Sequence, residues 1–144
     1  MYITEDKYLP LAIEVEERPT VFVGQNPGKT RKGKYSEYVW DGDTRTSSLL
    51  REAVDGYTNV VLTNVCNYQV MSDEHLQEGL IDLQKMIEDL EPKKIVCLGG
   101  FARRHVLSLK PECKVVSISH PSYIVRFNRD KEQYINNIRS QLSE

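Results

Sequence analysis

The sequence predicts an α/β protein, a three-layer α/β/α sandwich around a central parallel sheet of about four strands. Two observations predict it. Short apolar runs recur at 20–24, 60–62, 95–98 and 114–118, and the segments between them repeat their apolar residues at helical spacing. Strands that alternate with helical segments are joined by crossovers, which leave neighbouring strands parallel. The runs are also nearly continuous rather than alternating, as in strands covered on both faces. A chain of 144 residues fits a single domain, 1–144, with one sheet.

Residues 2–18 are weakly patterned and end before Pro19, which predicts an N-terminal turn or short helix packed on the domain. Residues 20–24 are the first strand. Residues 25–46 form a long polar segment holding Tyr35, Tyr38 and Trp40; so long a connection inside a compact domain is usually functional. Thr46 or Ser47 caps a helix that turns Leu49, Leu50, Ala53 and Val54 inward, and Gly56 ends it. The second strand runs into Thr63-Asn64-Val65. From a cap at Ser72 or Asp73 the apolar residues Leu76, Leu80, Leu83, Ile87 and Leu90 mark the clearest helix, closed by Pro92. After the third strand, Gly99-Gly100 turns into a short helix through Ala102, Val106 and Leu107. The fourth strand runs into Ser119-His120-Pro121-Ser122. The last helix, 129–142, presents Tyr134, Ile135, Ile138 and Leu142 on one face.

Composition narrows the class. At 40% hydrophobic and 28% charged, the chain belongs with folded globular domains rather than disordered ones. No apolar run approaches the ~20 residues of a membrane span. The first residues carry Glu5, Asp6 and Lys7 and lack an apolar signal region, so a cytoplasmic location is expected. The cysteines Cys66, Cys97 and Cys113 form no CxxC pair and have no closely spaced histidine, so neither bound metal nor a disulfide framework is expected. The formal net charge of −2 gives no global basic field, but Lys29, Arg31, Lys32 and Lys34 cluster after the first strand. Such runs are most often solvated faces.

Chemistry concentrates at the strand ends. The first strand stops at Gly24-Gln25-Asn26-Pro27-Gly28, the second delivers Asn64, and the fourth delivers His120. In a parallel sheet these carboxyl ends share one edge, where open α/β folds bind ligands. Gly24 is expected to adopt a positive φ and to let a ligand approach closely. Singly, each residue has a plain structural explanation: Asn is common turn chemistry, and a lone His before Pro is usually a satisfied loop residue. Two carboxamides and an imidazole on one edge point instead to a site.

These motifs resemble the uracil-DNA glycosylase superfamily. Gly24-Gln25-Asn26-Pro27-Gly28 is similar to its first motif, with an Asn-Pro-Gly ending nearest the mismatch-specific and single-strand-selective branches. His120-Pro121-Ser122 is similar to its second motif. Thr63-Asn64-Val65, and the apolar run ending at Gly99, resemble the iron–sulfur branch. The resemblance spans residues 20–138 in order. It implies a monofunctional glycosylase that hydrolyses the N-glycosidic bond of uracil or a 5-modified pyrimidine flipped out of DNA. DNA is then the partner, with no membrane and no cofactor, and a monomer is expected.

By the same resemblance His120 donates to the departing base at O2 and Asn26 positions the attacking water. Asn64 binds the base edge, Gly24, Gln25 and Gly28 line the pocket, and Trp40 (or Tyr38) stacks on the base. Ser122 holds a phosphate, Ile124 is an apolar wedge, and Arg126, Lys29 and Arg31 contact the DNA backbone. The four-cysteine set of the iron–sulfur branch is absent, so no cluster is expected. The alternatives are a glycosylase-fold protein that binds DNA or a partner protein without catalysis, and a nucleotide-binding α/β protein. The second lacks its GxGxxG loop here.

Overall fold

A computed structural model describes residues 11–25, 40, 44–65 and 83–143. The described elements follow in the order β1 (Leu11–Ile13), β2 (Thr20–Gly24), α1 (Arg45–Val54), β3 (Val60–Asn64), α2 (Leu83–Leu90), β4 (Lys94–Leu98), α3 (Gly100–Ser108), β5 (Lys114–Ile118), α4 (Pro121–Arg126) and α5 (Lys131–Leu142). The strands form one sheet in the order β1-β3-β2-β4-β5. β3, β2, β4 and β5 are parallel, and β1 pairs antiparallel with β3.

Two cores flank the sheet, because successive side chains of a strand point to opposite faces. Phe22, Leu62, Val96 and Leu98 pack with Leu49, Leu50 and Ala53 of α1, Ile124 of α4, and Tyr134 and Ile138 of α5. Val21, Val23, Val61, Ile95 and Cys97 pack on the other side with Leu83, Met86 and Leu90 of α2 and with Ala102 and Val106 of α3. The three layers expected from the sequence are therefore present. Burial on both faces is why β2, β3 and β4 read as continuous apolar runs. Lys94 at the start of β4 is buried, and its ammonium donates to the Gln141 carbonyl at 2.9 Å and to Gln141 Oε1 at 3.3 Å, which ties the end of α5 to the sheet.

The N-terminal expectation needs correction. Residues 11–13 are not helical; they form a fifth, antiparallel edge strand, so the sheet is mixed. Three residues with one exposed side chain carry too little pattern to be recognised as a strand. Asn59 is what seats this strand. It donates its own N–H to the Ile13 carbonyl and its side-chain amide to the Glu17 carbonyl at 2.6 Å, and accepts the Glu16 N–H at 3.1 Å. Its φ of 60° is the left-handed region that Asn tolerates better than most residues.

Other boundaries shift for local reasons. α1 begins two residues early, because Thr44 rather than Thr46 or Ser47 accepts the capping N–H, from Ser47 at 3.0 Å. α5 starts behind Asp130, whose carboxylate accepts the Gln133 N–H. The proposed cap at Ser72 or Asp73 lies outside the described residues. α4 was not foreseen at all.

Replacing Asn59 by Ala removes the side-chain bonds to Glu16 and Glu17, keeps the backbone bond to Ile13, and leaves the left-handed backbone to a residue that tolerates it less well than Asn. A loss of ~1–3 kcal/mol is expected in urea unfolding. Ligand binding at the opposite sheet edge should be unchanged.

Candidate active site

The carboxyl ends of β2, β3 and β5 form one corner, on the face that carries α1, α4 and α5. Gly24 is the register partner of Asn64. A Cβ on Gly24 would collide with Asn64 Oδ1 and stand 2.6 Å from Trp40 Cζ2. The described glycines with positive φ are Gly56 and Gly99, so the positive φ expected at Gly24 is not its role. Gly24 is needed there for space: a side chain would fill the volume that Asn64 and Trp40 share.

Trp40 is fixed at both ends. Its indole N–H donates to the Thr63 carbonyl at 3.0 Å, and Arg51 of α1 donates to its own carbonyl at 3.3 Å. The ring is buried against Gly24, with its centroid 5.4 Å from that of His120 and the planes at 43°. Asn64 is 1% exposed, and its Oδ1 is a buried acceptor with no hydrogen-bond partner among the described residues. Such an orphan costs ~1–3 kcal/mol, which a ligand donor would recover. Thr63 Oγ1 is a second orphan. Alternation along β3 sends it to the other face, with Val61 and Val65, away from the corner.

His120 follows β5 and caps α4. Its Nδ1 accepts the Ser122 backbone N–H at 3.1 Å and lies 2.8 Å from Ser122 Oγ. A nitrogen that accepts a backbone N–H carries no proton, so the neutral ring carries its proton on Nε2. Burial pushes the imidazole pKa down to about 4. At neutral pH the residue is therefore an uncharged donor through Nε2. Pro121 at the first helical position suits a chain already set for the helix. The turn before it is pinned by Tyr134 of α5, whose buried hydroxyl donates to the Ser119 carbonyl at 2.6 Å. Burial raises the Tyr134 pKa, so this donor keeps its proton. Gly99, with φ of 95°, donates its N–H to the Ile118 carbonyl and closes β4 against the end of β5.

Gly24, Trp40, Asn64 and His120 thus come together as the sequence suggested. Gln25 is exposed at the end of β2, and Ser122 and Arg126 are exposed on α4. Asn26, Gly28, Lys29 and Arg31 lie outside the described residues, as do Tyr35 and Tyr38. The wedge assignment of Ile124 is corrected. Ile124 is 7% exposed and packs in the core with Trp40 and Leu50, so it has no free surface to insert between bases. Its inward turn follows from α4, a helix that an offset from His120 does not reveal. Thr63, Arg51 and Tyr134 were missed as positioning residues. Only Tyr134 carried a signal, since a Tyr on an otherwise aliphatic helix face brings a hydroxyl that needs a partner.

A family model described as the uracil DNA glycosylase superfamily matches residues 14–143, and the chain belongs to that superfamily. It is also similar to the Type-4 uracil-DNA glycosylase of Archaeoglobus fulgidus, with 23% identity over 160 residues that cover 93% of this chain and 80% of that protein. The protein is thus DNA glycosylase-like, of a family whose enzymes act on DNA. The four-thiolate cluster of one branch does not fit this chain, which has three cysteines. Cys97 lies in the core, its thiol pKa pushed up to about 11 by burial. Cys113 stands at the start of β5, at the far end of the sheet.

The low pKa of His120 has a stability consequence. The unfolded chain takes up the proton near pH 6.5 and the folded ring near 4. Between those values the unfolded state binds more protons, so the contribution is full above about pH 6.5 and lost as pH falls toward 4. An NMR titration should find the His120 ring neutral, with Nε2 protonated, at pH 6. A midpoint near 6.5 would contradict this picture.

Gly24→Ala should cost ~1–3 kcal/mol by overpacking. Trp40 is the one tryptophan in the chain, so its fluorescence reports the displacement directly. Emission should shift to longer wavelength as the ring is pushed toward solvent.

Proposed function

We propose that the protein is a monofunctional DNA glycosylase, hydrolysing the N-glycosidic bond of uracil or a 5-modified pyrimidine flipped out of DNA. One observation carries this: a neutral His120 with its donor at Nε2 stands against Trp40, which also abuts the orphaned acceptor of Asn64. A donor, an acceptor and an aromatic wall are what a flipped pyrimidine requires. The orphan argues against a purely structural corner, because a packed core leaves few buried acceptors unpaired.

As the C1′–N1 bond breaks, the sugar becomes oxocarbenium-like and the electron pair leaves with the base. Negative charge grows on the pyrimidine, and His120 Nε2–H stabilises it at O2 without giving up its proton. A preorganised donor of this kind is worth ~2.7–4 kcal/mol. Asn64 Oδ1 accepts from N3–H, and its amide NH₂ donates to O4. The indole of Trp40 lies along the base face, an arrangement favoured by rigid aromatic packing. Water adds to C1′, and its proton passes to the departing base or to solvent. Asn26 orients that water. An amide cannot take the proton as a carboxylate does, so the hydrolytic step is slow. Ser122 has a second duty here: its hydroxyl, beside His120 Nδ1, is also exposed to a phosphate of the substrate.

The test is single-turnover release of uracil from an oligonucleotide, read by alkaline cleavage at the abasic site. His120→Asn keeps a capping side chain but misplaces the donor, so the rate should fall about 10²–10³-fold while the melting temperature barely moves. No uracil release by the wild-type chain, with DNA still bound, would favour the non-catalytic alternative. In this reading Gly28 lines the pocket, as the resemblance implies, and brings no side chain to exclude a 5-substituent. Release of 5-hydroxymethyluracil should therefore lie within about 100-fold of uracil, since a methylene-sized difference discriminates weakly.

A further inference from the structure

Tyr123 and Phe127 are large aromatic residues left 42% and 56% exposed. They stand four apart, Tyr123 within α4 and Phe127 at its C-cap, and their rings meet. Their centroids are 4.9 Å apart, and the rings tilt by 50°. The opposite face of the helix, Pro121 and Ile124, is buried. Arg129 donates to the Tyr123 hydroxyl at 3.2 Å, with its guanidinium 5.6 Å from the ring centroid. Arg126, next to Phe127 in the chain, and Lys131, at the start of α5, are also exposed. Of the neighbouring acids, Asp130 is engaged in capping α5 and Glu132 lies in its first turn. The patch starts three residues after His120, so the Tyr123 and His120 Cα atoms are at most about 11 Å apart. Stacked nucleotides at ~3.4 Å each cross that distance in about three steps.

We propose that Tyr123 and Phe127 form a stacking platform for unpaired bases flanking the flipped nucleotide, so that the protein takes single-stranded DNA across the outside of α4. The proposal rests on reading the His120 corner as a base-excision site. Aromatic faces hold bases of any sequence, and nearby cations hold the phosphates. A wedge instead drives one apolar side chain into a duplex stack. Here two splayed rings face outward and the aliphatic side chain between them faces the core. The arginine rim and the continuity with His120 select nucleic acid over an apolar protein partner.

The test is binding of the full chain to a fluorescein-labelled oligothymidylate, read by anisotropy at low salt. Phe127→Ala and Tyr123→Ala should each weaken binding about 5- to 100-fold. Phe127→Leu, apolar but without a π face, should lose as much as Phe127→Ala, and Phe127→Trp should retain the wild-type affinity. A matched duplex should be affected far less. Unchanged single-strand binding in Phe127→Ala, or equal losses on single strand and duplex, overturns the platform. So does a dimer in sedimentation that Phe127→Ala dissolves, because a second copy then covers the face. The readout needs no turnover. A wild-type chain that holds the oligonucleotide through Phe127 but releases no uracil sustains the platform and overturns the glycosylase reading. One that releases uracil while Phe127→Ala binds normally overturns the platform alone. Both side chains are exposed, and circular dichroism checks that the variants fold.

Discussion

The corner depends on a missing side chain. Gly24 ends a strand with neighbours on both sides, where a Cβ would point straight into the space that Asn64 and Trp40 occupy. Because Gly24 leaves that space, the indole packs against the strand end and still reaches the Thr63 carbonyl. The imidazole of His120 then packs on the indole. Each step requires the one before it, so the geometry of three side chains follows from the absence of a fourth.

The state of His120 is set by backbone rather than by an acid. A carboxylate beside Nδ1 would also fix the tautomer, but it would raise the pKa and favour the charged ring. A backbone N–H fixes the tautomer and opposes protonation at the same atom. Burial works in the same direction. The ring is left as a donor that need not change protonation state. The opposite end of the sheet has a different character: Asn59 there satisfies loop backbone and seats an edge strand, and its work is structural.

β2, β3 and β4 were legible because burial on both faces leaves an apolar run with little alternation; β2 has the bounds that its residues suggested. The convergence of Gly24, Asn64 and His120 followed from parallel topology alone. What could not be read was direction within short elements. β1 is too short to show a period. The His-Pro pair of α4 is a helix-start signal as much as a loop signal, and an offset from His120 does not say which side of a helix a residue faces. An outward role for Ile124 fails on that point: Ile124 faces the core, and Tyr123 and Phe127 hold the exposed side. Contacts through backbone atoms, such as the Thr63 and Ser119 carbonyls, leave no mark in the identity of the residue that supplies them.

The Tyr134 hydroxyl that holds the Ser119 carbonyl comes from α5, an element that contributes nothing to the pocket wall itself. Gly24, Trp40 and Asn64 leave the ribosome long before it. A nascent chain halted just past α4 would carry every described pocket residue and still lack the pin that sets the His120 turn. The corner as described therefore requires α5 to be docked, through both Tyr134 and the Lys94–Gln141 tie. An unfinished chain would hold the wall of the pocket and the Ser122 cap on His120, but not the pin on the Ser119 carbonyl.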